Sequence, residues 1–192
     1  GWRIDHLGVD SHGVFRVEEI ERLMEEETRL VTLMLANNET GAMQPVVTAA
    51  RYCAAREIPL HTDAVQAIGT LPVNYSHLGA AMLSCAPHKF HGPLGIGALV
   101  ARHDVALRGT LFGGHQQGGL RAGTESVTLA VGMQTALECW QREADQRQQT
   151  PGEDRGQPDP GDHRHQTLGG CDEVASATVR RPQHERHDHD EQ

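Results

Sequence analysis

One amine stands apart in this chain. Of its seventeen basic residues, Lys89 is the one lysine and all the others are arginine. It lies in Ser84-Cys85-Ala86-Pro87-His88-Lys89-Phe90-His91-Gly92-Pro93, between an apolar run and a glycine-rich turn that continues to Gly97. A lysine amine can form a Schiff base with an aldehyde cofactor, whereas a guanidinium cannot. Three further clusters could serve such a group. Asn37-Asn38-Glu39-Thr40-Gly41 offers amides and a carboxylate, although Asn and Gly are also ordinary turn residues. His61-Thr62-Asp63-Ala64-Val65-Gln66 puts a carboxylate where it could meet a protonated ring nitrogen, with Gln66 facing the same pocket if the turn is helical. Taken alone, Asp63 reads more simply as a helix cap. Gly113-Gly114-His115-Gln116-Gln117-Gly118-Gly119-Leu120-Arg121-Ala122-Gly123-Thr124-Glu125 combines flexible backbone, a guanidinium and a hydroxyl before a helix start, which suits phosphate and equally suits a mobile loop with Thr124 as N-cap. His88 could donate to a phosphate or pack structurally.

The elements that must position these groups alternate. Residues 17–27 place Ile20, Leu23 and Met24 at helical spacing among acids. Residues 30–36 form a continuous apolar run of the kind that buried parallel strands show. A helix is expected over 45–57, strands over 58–62, 80–85 and 96–101, and a long helix over 126–147. The first residues, Gly1 to Ile4, already read as the inside of a strand. Strands alternating with helices indicate an α/β layer architecture. In open sheets of this kind ligands bind at the carboxyl ends of strands, where the clusters fall.

Composition narrows the function classes. A net charge of −9 argues against a nucleic-acid partner, and no apolar run is long enough to span a bilayer. Cys53, Cys85, Cys139 and Cys171 form no CxxC pair, which suits a reducing cytoplasm. From Gln148 onward the chain has no Ile, Met, Phe, Trp or Tyr. Residues 148–192 are therefore expected to be a disordered tail, out-of-frame or unrelated to the rest, and the remainder an incomplete domain with apolar surface exposed. The tail histidines, His163, His165, His184, His187 and His189, are assigned no metal.

Taken together, Leu35 to Gly41, His61 to Gln66, His88 to Pro93 and Gly119 to Thr124 resemble, in order, the motifs of cysteine desulfurases of the NifS and IscS type, within the class V aminotransferase group of pyridoxal-phosphate enzymes. The resemblance covers about residues 1–147 and implies part of a fold type I large domain, a mostly parallel sheet flanked by helices. It implies that Lys89 holds pyridoxal 5'-phosphate and later moves protons at the substrate α-carbon. By the same resemblance Asp63 pairs with the ring nitrogen, Asn38 and Gln66 bond near the ring hydroxyl, and His88 contacts the phosphate. Thr124 would reach the cofactor phosphate of the partner subunit in a homodimer. The implied reaction takes L-cysteine to L-alanine and leaves persulfide sulfur for iron-sulfur cluster or thio-cofactor assembly, through an acceptor or scaffold protein. Selenocysteine lyases share nearly all the motifs, so one of these or another class V pyridoxal-phosphate lyase is an alternative, and a non-catalytic fragment able only to pair with a complete subunit is a third reading. Ala86 stands where many members carry a phosphate-binding serine. The family's upstream phosphate loop with its ring-stacking histidine, its cysteine-bearing loop and its substrate-binding arginine have no counterpart here. The chain alone is accordingly expected to be inactive.

Overall fold

The computed structural model describes residues 1–149 and 178–182. Six strands form one sheet: β1 (Trp2–His6), β2 (Leu30–Met34), β3 (Leu60–Asp63), β4 (Met82–Cys85), β5 (Ala98–Ala101) and β6 (Thr178–Pro182). Their order is β1-β6-β2-β3-β4-β5. The centre is parallel, β2 to β3 to β4, while β5 and β6 each run against their neighbours. Four of the six strands, β1 to β4, thus point one way, and the α/β reading with a mostly parallel sheet holds.

Alternation along the strands gives the sheet two unlike faces. Val31, Leu33, Leu60, Thr62, Leu83 and Cys85 point to one side and are buried. There they meet helices α1 (Val17–Leu23) and α2 (Val46–Ala54), whose inward residues Ile20, Val46, Ala49, Ala50 and Cys53 join the same core. In α2 these residues recur at i, i+3, i+4 and i+7, one apolar stripe of a helix. Apolar side chains remain exposed elsewhere, with Trp2 57% accessible, Leu99 53% and Phe112 91%.

One helix ends earlier than the sequence reading. Helix α1 stops at Leu23, and its C-cap Met24 is extended. Glu25, Glu26 and Glu27 follow, and three carboxylates beside the negative end of a helix dipole oppose its continuation. Within the span 148–192, Gln148 and Gln149 complete helix α4 (Val127–Gln149), and Thr178–Pro182 form β6 between β1 and β2. The β-branched pair Thr178-Val179 favours extended backbone locally, a preference that the polar composition of the whole span masks. Residues 150–177 and 183–192, including Cys171 and the tail histidines, lie outside the described residues. The remaining short helix, α3 (Tyr75–Leu78), carries an Asn74 side-chain cap on His77 N–H.

Candidate active site at the carboxyl ends of the strands

The parallel register fixes what stands together. Met34, Asp63 and Ser84 are neighbours across β2, β3 and β4, so the loops that leave these strands emerge side by side. Two backbone bonds carry the register into the loops: Leu35 N–H donates to Asp63 O at 2.7 Å and Ala64 N–H to Ser84 O at 2.9 Å.

After β2 the chain forms a tight turn. Ala36 bridges Met43, and Asn37 N–H donates to Ala42 O at 2.9 Å. The Asn37 carboxamide oxygen accepts from Glu39 N–H at 2.8 Å and Thr40 N–H at 2.9 Å, an Asx turn that engages this buried side chain in holding the loop. Its neighbour Asn38 is exposed at the tip. After β3, Asp63 Oδ1 accepts from Val65 N–H at 2.9 Å, capping a turn where the sequence suggested a helix. Asp63 is also exposed, and its second oxygen points to no donor among the described residues. Gln66 follows, half-buried.

After β4, Pro87 opens a single 3-10 turn, Pro87–Lys89. Phe90 closes it and is sunk into the protein at 2% accessibility. His88 and Lys89 are exposed beside this anchor. The turn is packed so closely that a Cβ on Gly92 would approach Pro87 Cβ to 2.5 Å and Ala136 Cβ on α4 to 3.2 Å. Lys89 has no ion pair among the described residues.

Asn38, Asp63, Gln66, His88 and Lys89 are therefore gathered on three adjacent strand ends. Thr124 is not among them. It is exposed on the loop before α4, and α4 lies against the lysine turn through Leu129 at Gly95, Gly132 at Pro93 and Ala136 at Gly92. In the loop before it, Gln117 Nε2 donates to Glu125 Oε1 at 3.0 Å, and the Arg121 guanidinium donates to Ala122 O.

The face that bears Asp63 carries a further polar chain whose parts sequence reasoning did not connect. Thr32 Oγ1 lies 2.7 Å from His61 Nδ1, and His61 Nε2 lies 3.2 Å from Ser84 Oγ. The alternation of β2, β3 and β4 could have placed all three on one face, but only the strand register brings them into line. Burial pushes the His61 pKa below its ordinary value of 6.5, with the Asp63 charge opposing.

The comparisons bear on this geometry. The Aminotransferase class-V family model matches residues 1–152. The chain belongs to the class-V aminotransferase family. A cysteine desulfurase of Gluconacetobacter diazotrophicus is 42% identical over 146 residues, 76% of this chain and 36% of that protein. Among solved structures, a NifS-like protein superposes with a TM-score of 0.71 at 41% identity, covering 74% of this chain and 40% of that one. SspA in complex with cysteine gives 0.64 at 36% identity, covering 66% and 37%. The chain thus spans about a third of the length of the curated relatives it matches. Class-V aminotransferases and their desulfurase members depend on pyridoxal phosphate. The donor set fits that group: an exposed unpaired amine for its aldehyde, a carboxylate with one open oxygen for a ring N–H, two amides, and an imidazole for phosphate.

Proposed function

We propose that these residues form the lysine-and-carboxylate part of the cofactor site of a cysteine desulfurase. The observation that carries the reading is the exposed Lys89 amine, on an anchored turn, one strand away from the exposed Asp63 carboxylate. Lys89 would hold pyridoxal phosphate through its amine, Asp63 would keep the ring nitrogen protonated, and Asn38 and Gln66 would bond near the ring hydroxyl. His88 would donate to the phosphate, where Ala86 offers no hydroxyl. When bound, the cofactor supplies an electron sink for charge developing at an amino-acid α-carbon. Lys89, once free of it, can take and return the α-proton, because an amine on a short flexible stem reaches both positions.

The substrate is proposed to be L-cysteine and the products L-alanine and enzyme-bound persulfide sulfur, delivered to an acceptor for iron-sulfur or thio-cofactor assembly in the cytoplasm. The solved relative that holds cysteine supports this choice over selenocysteine. Sulfur acceptance requires an exposed, reactive thiol. Cys53 and Cys85 are buried with raised pKa values, and Cys139 lies along α4. Burial rules out Cys53 and Cys85, and Cys139, though exposed, is held on a helix and not on a loop that could carry sulfur, so the described residues are expected to hold cofactor without completing sulfur transfer. Thr124, exposed on a separate loop, would reach the cofactor phosphate across a homodimer.

The test is absorbance. Added pyridoxal phosphate should give a visible band that Lys89→Ala loses, while L-cysteine should yield no persulfide on the isolated chain. Identical spectra for wild type and Lys89→Ala would overturn the cofactor assignment.

A further inference from the structure

The Thr32, His61 and Ser84 chain has no part in the site as described so far. Both ring nitrogens of His61 are within hydrogen-bond reach of hydroxyls, one on each flanking strand. The ring is thereby fixed in rotation, and it ties β2 to β4 across β3. His61 shares its face of β3 with Asp63, two residues on and roughly 7 Å along the strand. The groups facing it on that side are Thr32 and Met34 from β2, Met82 and Ser84 from β4, and Asp63 on its own strand. Of these only Asp63 carries charge.

We propose that the Thr32-His61-Ser84 ladder is a positioning device for Asp63, with His61 as the pH-responsive neighbour of that carboxylate. The inference rests on the reading that Asp63 faces the cofactor's ring nitrogen. With the imidazole uncharged, the full charge of Asp63 is available to a cationic ring N–H. Burial keeps it so at neutral pH by holding the His61 pKa below 6.5. In acid the imidazole takes a proton, draws on the same carboxylate, and weakens its hold on the ring. The hydroxyls set where this happens, since they can accept from both ring N–H groups only when they turn their own protons away.

The experiment is a pyridoxal-phosphate titration followed by absorbance between pH 8 and pH 5, with wild type, His61→Gln and Ser84→Ala. Gln keeps polar contacts and does not titrate. Ser84→Ala removes one hydroxyl and guards against a His61 variant that fails to fold. The three chains differ only at His61 or at its hydroxyl partner, so the difference between profiles reports His61. Wild type should lose affinity on acidification about tenfold more than His61→Gln does, one pKa unit of coupling. Ser84→Ala should shift the midpoint of its acid limb. The ring-nitrogen NMR shifts of His61 should report hydrogen bonds at both nitrogens in wild type, and Ser84→Ala should move the Nε2 shift while leaving Nδ1 bonded to Thr32, a signature that loss of packing alone does not produce. Parallel profiles in wild type and both variants overturn the proposal alone. A wild-type chain that takes up no cofactor at any pH overturns the functional reading and this proposal with it.

Discussion

At the scale of the residue, burial decides which groups react. The Cys53 thiol is pushed up to about 12 by desolvation on the inner face of α2, and Cys85 is raised for the same reason. Since the thiolate is the nucleophile, neither is available at ordinary pH. Iodoacetamide at pH 8 should modify exposed Cys139 in the folded chain and leave Cys53 and Cys85 unlabelled until denaturant is added, as peptide mass mapping would show. Thr62 presents the converse case. Its side chain is fully buried and its hydroxyl has no partner among the described residues. Thr62→Val keeps the shape and removes an unsatisfied oxygen, so stability should be unchanged or rise by about 1 kcal/mol in urea unfolding. A loss of that size would show that the hydroxyl is bonded after all.

The elements fix these residues through a few close approaches. Gly69 has φ +89°, and a Cβ there would lie 2.1 Å from Phe90 Cβ. Gly41 has a similar φ of +72° with nothing within 4 Å. Gly69→Ala therefore combines backbone strain with a clash against the anchor of Lys89 and should cost about 2–4 kcal/mol, whereas Gly41→Ala should cost about 1–2 kcal/mol. Comparing the two by thermal unfolding isolates the clash. Such approaches also mark the limit of what the sequence reveals. Leu30–Met34 and the α2 stripe could be read from apolar spacing, because one buried face imposes a period. The placement of Asn38, Asp63, Gln66, His88 and Lys89 at strand ends could be read from where those runs stop. The division of labour between Asn37 and Asn38 could not, since it depends on an Asx turn that either residue could form. The Thr32 to Ser84 ladder was hidden too, because it depends on register between residues 29 and 23 positions apart.

For the molecule as a whole, pH acts through His61. Its folded pKa lies below the unfolded value of 6.5, so in the window between them the unfolded chain binds a proton that the folded chain refuses. Stability is then unaffected by this group above about pH 6.5 and falls as pH drops below it toward the folded pKa. His61→Gln should flatten that part of a stability profile measured in urea, and an unchanged slope would show that His61 does not contribute. Asp10 and Asp104, whose pKa values are lowered from 3.8, act only in stronger acid. The two bonds that run from loop to strand, Leu35 N–H to Asp63 O and Ala64 N–H to Ser84 O, belong to the parallel centre of the sheet. Their amide hydrogens can exchange with solvent only when that centre opens. The root of the site accordingly has no private unfolding of its own, and it persists for as long as the middle of the sheet remains closed.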